Sequence, residues 1–243
     1  MLVDDLRGLW YIALKDLRAY YLKPPNVSWG ILFPFAFAAA FYLRNPGDAR
    51  ELVPGLVALA ALFGATSMEA IVITFERRIG ALERLLLSPV RLPAIVLGKV
   101  LGGAFFGLVV TGAVLVASVA GFGLDRFDVP LTVATLLLSA LAFAALGAFV
   151  SVAVREVFEA QTLANLFRFP MIFLCGVFIP LATLPAALRP VAYALPLTYA
   201  VDGFRGALLG AGILPSGLDL IALGAFALGL YLLSVRVLAR SLA

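Results

Sequence analysis

Six apolar runs, each close to the length that a helix needs to cross a bilayer, dominate this chain. About 20 apolar residues in helical form span ~30 Å of hydrocarbon. Of the 243 residues, 63% are hydrophobic and only 13% are charged, whereas soluble domains carry about 25% charged residues. We therefore predict an all-α integral membrane protein with one domain over residues 1–243. Its six transmembrane helices are predicted at 27–43, 52–74, 95–120, 131–154, 163–182 and 218–235.

Residues 2–22, ahead of the first run, have the spacing of an amphipathic helix. Apolar residues recur at steps of three and four, whereas Arg7, Lys15 and Arg18 fall outside that stripe. Tryptophan, tyrosine and basic residues together are typical of a helix that lies in the membrane interface. We predict an N-terminal interfacial helix here. The alternative is a short soluble helix packed on a partner.

The basic residues divide unevenly between the two sides of such a bundle. If the N-terminus is cytoplasmic, 13 of the 18 Lys and Arg residues fall on the inner side. The positive-inside rule favours this arrangement. We therefore predict that both termini are cytoplasmic and that residues 75–91 form the first cytoplasmic loop.

That loop, FERRIGALERLLLSPVR, concentrates charge of both signs between two apolar runs. A loop that only anchors two spans would explain its arginines, but acidic residues contribute little to orientation. Mixed charge on a helix fits docking into a groove of a soluble partner. We predict a short helix over residues 76–87 with an apolar stripe of Ile79, Leu82 and Leu86. Its polar face, with both charge signs exposed, would contain Glu76, Gly80, Glu83 and Leu87.

The stretch between the last two runs, residues 180–210, is too interrupted by proline to span and too apolar for an ordinary loop. Irregular backbone at membrane depth is tolerated only where protein or water satisfies it. We predict short helices over 184–209 that re-enter or lie on the outer leaflet. The residues singled out in and just before this stretch are Pro180, Pro185, Pro196, Tyr199, Asp202 and Arg205.

Two stretches carry a resemblance to a known family. ERRIGALERLLLSPVRLPAIVLGK (76–99) resembles the cytoplasmic signature of type-2 ABC exporter permeases, and FIPLATLPAALRPVAYALPLTYAVDGFR (178–205) resembles their outer segment. The resemblance implies that 76–87 is the coupling helix. An ATP-binding subunit would then contact Glu76, Arg77, Arg78, Gly80, Glu83, Arg84, Leu87 and Pro89.

The same resemblance implies an assembly in the plasma membrane of a prokaryote. Two ATP-binding subunits would hold ATP and Mg²⁺, and a second permease, expected to be identical, would complete the unit. The cargo would be an amphipathic drug or a lipid-linked or oligosaccharide molecule, and an O-antigen-type polysaccharide is the alternative. A stand-alone secondary transporter is the alternative from another class, although six spans without an evident repeat fit it poorly.

Catalytic chemistry is not expected in this chain. A Walker A motif needs G-x-x-x-x-G-K-[ST], whereas around Gly98-Lys99 the chain has Pro93 for the first glycine and Val100 for the Ser or Thr. The sequence contains no histidine and one cysteine, Cys175. We expect no metal site, no cofactor and no nucleic-acid partner, and we assign ATP hydrolysis to the partner subunit.

Polar residues inside the predicted spans are the remaining candidates, because buried ionisable groups rarely face lipid. Glu69, with Thr66 nearby, is interpreted either as a polar element of the transport pathway or as a structural partner of Lys99 or Arg168. A second polar stripe either lines an inner vestibule or bonds neighbouring helices; it comprises Gln161, Asn165 and Arg168.

Overall fold

The structure, a computed structural model, describes residues 2–21, 32–36, 39–40, 43, 49–124 and 127–242. These residues are helical or in turns and loops, and none of them forms a strand. The α-helices are α1 (Leu2–Asp16), α2 (Val53–Arg78), α3 (Ala81–Leu86), α4 (Leu92–Phe122), α5 (Val129–Ala153), α6 (Val157–Leu174), α7 (Arg189–Tyr193), α8 (Pro196–Leu209) and α9 (Ser216–Leu242).

Proline and glycine fix several of these helix boundaries. Proline lies in the first turn of α2, α4, α5 and α8, where its missing N–H would lack an intrahelical acceptor anyway. Gly123 and Gly210 follow α4 and α8 with φ of 62° and 65°, a left-handed conformation that ends a helix without a Cβ clash. The helix ends are thus encoded locally.

Four of the six predicted spans are confirmed as helices long and apolar enough to cross a membrane: Arg50–Arg78, Leu92–Phe122, Val129–Ala153 and Ser216–Leu242. Most of the predicted first span lies outside the described residues. The fifth differs from its predicted range, because α6 begins earlier and stops at Leu174. The chain then turns at Gly176, which has a φ of 81°. The total of six spans stays a prediction.

Consecutive long helices run in opposite directions, and this defines two ends of the bundle. At the charged end, which contains residues 76–91, Arg77 Nη2 donates to Ser241 Oγ at 3.4 Å and Tyr231 Oη donates to Pro93 O at 3.0 Å. At the opposite end, Arg50 Nε donates to Phe122 O at 3.0 Å. The connection between residues 79 and 91 therefore lies beside the last turn of α9.

Helix α2 is the centre of the bundle and packs against both α4 and α5. Small residues allow close approach at these contacts. A Cβ on Gly107 of α4 would lie 2.7 Å from Ala65 Cβ and 3.1 Å from the Ala65 backbone. A Cβ on Gly147 of α5 would lie 2.8 Å from Glu69 Cβ. Such small-residue contacts are the usual means of helix packing in lipid.

Helix α1 packs lengthwise along the first half of α4 and continues as a π-helical turn, Leu17–Tyr21. Contacts between the two helices advance in the same direction: Asp5 accepts from Arg91 N at 3.1 Å, and Tyr21 stacks on Phe106 at 5.3 Å between ring centroids. A helix lying flat in the interface would cross α4 instead of following it. Where the membrane surface meets this helix pair stays a prediction.

We expect Gly107→Ala to lower the melting temperature of the detergent-solubilised protein, because its Cβ meets the backbone of α2. Overpacking of this kind costs about 1–3 kcal/mol. Gly112→Ala on the same helix is the matched control, since a Cβ there meets no atom within 4 Å. It should leave the melting temperature equal or higher, because alanine favours a helix over glycine by about 1 kcal/mol. Equal melting temperatures for both variants would contradict the packing described.

Candidate functional site

The connection between α2 and α4, residues 79–91, has exposed charges of both signs at this end of the bundle. The prediction of one helix over 76–87 is wrong in its bounds. Residues 76–78 still belong to α2, and Gly80 adopts a left-handed conformation with φ of 70°. Because that conformation breaks a helix, only α3 remains as a separate helix of six residues. The connection is thus a sharp elbow followed by a short helix.

Side chains of both charge signs point outward from this elbow, as the sequence predicted. Leu82 is buried at 1% exposure and attaches α3 to the core, whereas Leu87 is 88% exposed. Ile79, predicted to pack inward, is 52% exposed, because the break at Gly80 turns it away from the stripe that contains Leu82. The other exposed residues of this surface are Arg78, Glu83, Arg84 and Pro89.

Glu76 does not lie on that exposed surface. It is fully buried in the last turn of α2, on the side that faces α1 and α4. Its Oε2 accepts from Lys99 Nζ of α4 at 2.5 Å, and its Oε1 accepts from Lys15 Nζ of α1. The prediction that Glu76 belongs to an exposed polar face is therefore wrong, because two lysines from neighbouring helices hold it inside the bundle.

Lys15, Asp16, Glu76 and Lys99 form a closed group of two cations and two anions, here called the ion cluster. Besides the contacts of Glu76, Asp16 Oδ2 lies 3.2 Å from Lys99 Nζ, and Asp16 Oδ1 lies 2.9 Å from Lys15 Nζ. Asp16, Glu76 and Lys99 are at most 1% exposed. Each lysine touches both carboxylates, so the cluster is electrically neutral and joins three helices.

The carboxylates of the ion cluster also change the pKa of Lys15, its half-exposed member on α1. Burial by itself lowers the pKa of Lys15, but the carboxylates of Asp16 and Glu76 more than offset this, so the pKa is raised above its ordinary value. Lys15 therefore stays charged at neutral pH and keeps the cluster closed. Sequence reasoning missed Lys15 and Asp16 because their positions on α1 read as the solvent face of an amphipathic helix.

Glu69 is buried in α2, seven residues before Glu76, and bonds to neither Lys99 nor Arg168. Its Oε2 accepts from the hydroxyl of Tyr21, at the end of the π-helical turn after α1. Gly103 and Gly147 make room for the side chain, because a Cβ on either would lie within about 3 Å of it. Glu69 Oε1 has no hydrogen-bond partner among the described residues. The alternative in which Glu69 pairs with Lys99 or Arg168 is wrong, since Lys99 is held by the ion cluster and Arg168 bonds to Thr66 and Asn165. A role of Glu69 in the transport pathway stays a prediction.

Arg168 of α6 is buried and bonds across to α2. Its Nε donates to Thr66 Oγ1 at 2.7 Å, its Nη1 donates to Asn165 Oδ1 at 3.2 Å, and its guanidinium lies 5.4 Å from the Phe63 ring centroid. These contacts favour the interpretation in which the polar stripe bonds neighbouring helices. Gln161, by contrast, is exposed.

At the opposite end, the segment predicted to re-enter the membrane folds as short helices held by their own polar groups. Asp202 accepts from Ile213 N at 2.8 Å and from Leu214 N at 2.7 Å, which fixes the turn between α8 and α9. Tyr199 Oη donates to Tyr193 O at 2.7 Å, and Arg205 Nη2 donates to Gly176 O at 3.4 Å. Of its prolines, Pro196 is buried at the start of α8, whereas Pro180, Pro185 and Pro190 are exposed.

We expect Lys99→Met to destabilise the protein strongly, because it leaves two buried carboxylates with one half-exposed lysine between them. Breaking a buried ion pair by removing one partner costs about 3–5 kcal/mol. Arg91→Met is the control, since Arg91 is 62% exposed and lies 3.7 Å from Asp5, a class of pair worth about 0–1 kcal/mol. Melting of the solubilised variants measures both. An unchanged melting temperature for Lys99→Met would show that the ion cluster does not hold the helices together.

Comparison with known proteins agrees with this architecture. Residues 8–209 match the family described as ABC-2 type transporter. The chain is 31% identical over 194 residues to Nodulation protein J of Rhizobium meliloti, covering 79% of this chain and 73% of that protein. It is 29% identical over 259 aligned positions to the inner membrane transport permease YadH of Escherichia coli, covering 96% of both. The chain therefore belongs to the ABC-2 type transporter family, as the membrane-embedded transport component of an ABC transporter.

Proposed function

We propose that this chain is the permease of an ATP-driven exporter and that a separate ATP-binding subunit docks on residues 78–89. The observation that carries the proposal is the exposed elbow between α2 and α4, with Arg78, Glu83, Arg84 and Leu87 pointing outward. A surface with charges of both signs and one exposed leucine fits a complementary groove on a partner. The charges fix the position of the partner on this surface, and the leucine supplies apolar contact area.

The ion cluster supplies the mechanical link that such a function needs. The elbow begins three residues after Glu76, at the end of α2. Glu76 is bound to α1 through Lys15 and to α4 through Lys99. Displacement of the elbow by a partner would therefore move α1, α2 and α4 together, since separating them would expose unpaired buried charges. Transport by alternating access needs a two-state element of this kind, biased by the nucleotide state of the partner.

The proposed assembly contains two ATP-binding subunits, which hold ATP and Mg²⁺, and two permeases. A second, identical permease is supported by the surface of α6, which has an exposed apolar stripe at helical spacing: Leu166, Phe169 and Phe173 are 67%, 48% and 46% exposed. In the proposed assembly this stripe faces the second permease and borders the transport pathway. Two copies would cover each other's stripes.

An amphipathic drug or a lipid-linked or oligosaccharide molecule is the proposed cargo. The aromatic residues on α6 suit apolar chains and also stack on sugars, so they favour this class over small ions. The second candidate cargo is an O-antigen-type polysaccharide, which differs from the first class in being a much longer molecule. The relative in Escherichia coli is named an inner membrane transport permease, which favours the plasma membrane as the location of this chain.

We expect Glu83→Arg to reduce co-purification of the ATP-binding subunit by about tenfold or more, because it places like charge against the partner's basic contacts. Glu51→Arg is the matched control: Glu51 is also exposed but lies at the opposite end. Affinity purification from native membranes with quantitative mass spectrometry measures the ratio. Equal recovery with both variants would remove the elbow as the docking surface. Transport by the purified chain alone would favour a secondary transporter.

The charged end is expected to face the cytoplasm. In a Cys175→Ala background, a membrane-impermeant maleimide added to whole cells should label Ala187→Cys and should label Ala239→Cys only after the cells are opened. Both positions are exposed at the surface and lie outside the proposed docking surface, so accessibility is decided by the side of the membrane. The reverse labelling pattern would overturn the proposed orientation of both termini.

A further inference from the structure

A groove of about 520 Å³ lies between α1 with the π-helical turn that follows it, α4 and α5. Each helix contributes one face at helical spacing, including Leu14, Leu17, Leu108 and Leu141. Its volume is within the range of small-molecule sites, about 300–1,000 Å³. Phe105 on the wall of the groove is 52% exposed, which shows that the groove is open to the surface of the protein.

Only two of the groove's lining residues carry a side-chain polar atom: Trp10 of α1 and Arg18 of the π-helical turn. Trp10 is 66% exposed and Arg18 is exposed, eight residues further along, a separation of about 12 Å along a helix. No described residue forms an ion pair or hydrogen bond with the Arg18 side chain. The groove therefore combines a long apolar wall with one available cation at its rim.

We propose that this groove binds an anionic phospholipid of the surrounding bilayer, with an acyl chain along the apolar wall and the headgroup phosphate on Arg18. A hydrocarbon chain matches a wall without polar groups, since a polar ligand would lose hydrogen bonds there. A phosphate matches the guanidinium, which binds such oxygens in a two-pronged arrangement.

The proposal gives α1 a second function besides its place in the ion cluster. Trp10 of α1 and Arg18 of the π-helical turn are on the face that turns away from Asp16, because Asp16 points into the bundle. A bound lipid would thus fill the gap that the described parts of α1, α4 and α5 leave between them. It rests on the groove alone and does not depend on the partner or the cargo.

Quenching of Trp10 by brominated lipids tests the proposal directly. The chain has two tryptophans, Trp10 and Trp29, so Trp29→Phe leaves one fluorophore at the groove. The variant is reconstituted in phosphatidylcholine vesicles that contain increasing fractions of either dibrominated phosphatidylglycerol or dibrominated phosphatidylcholine. Half-maximal quenching is expected at an about fivefold lower fraction of phosphatidylglycerol, the effect of one arginine near an anionic headgroup.

Three further substitutions, each made in the Trp29→Phe background, distinguish binding at a specific site from general attraction of anionic lipid to basic residues. Arg18→Gln should abolish the preference for phosphatidylglycerol, and Arg18→Lys should keep most of it. Arg7→Gln is the matched control, because Arg7 is exposed and lies one helical turn from Trp10 but does not line the groove. Equal quenching by the two lipids would overturn the proposal. A preference for phosphatidylglycerol that is lost in Arg7→Gln and kept in Arg18→Gln would also overturn it.

Discussion

The structure depends on a neutral group of four charges at the charged end of the bundle. Lys99 and Lys15 each contact both Asp16 and Glu76, so no charge of the group is left unpaired. Charges buried inside a protein are tolerated only when they are paired. Because the four residues come from α1, α2 and α4, their pairing fixes the positions of three helices relative to the elbow that follows Glu76.

Helix α1 is the element through which the other features connect. One face carries the ion cluster and, through Tyr21, a hydrogen bond to Glu69 deep in α2. Another face lines the groove beside α4 and α5. An amphipathic helix that only floated at the membrane surface would need neither a buried carboxylate nor close contact with glycines. Gly98 and Gly102 of α4 provide that contact, against Ile12 and Ala13. Movement of the elbow and occupation of the groove would thus act on the same helix.

Prediction from sequence succeeded where local chemistry decides and failed where partners come from distant segments. Apolar length identified four spans, and mixed charge identified the exposed connection after α2, although the break of the helix at Gly80 was not predicted. Glu76 was misplaced because helical spacing says which residues share a face but not which face a neighbouring helix covers. Glu69 was recognised as a special position, yet its partner Tyr21 is 48 residues away and had been interpreted as an aromatic interface residue.

The sequence by itself determined the membrane class, the helical fold, the four confirmed spans, the absence of a Walker A motif and the exposed charges of the elbow, because each follows from a contiguous stretch. Only the tertiary structure decided which charges are paired inside the bundle, that α1 runs along α4, and that three helices leave a groove between them. Those features arise from packing between segments far apart in the chain, where the burial of a charge depends on the opposite charge that meets it.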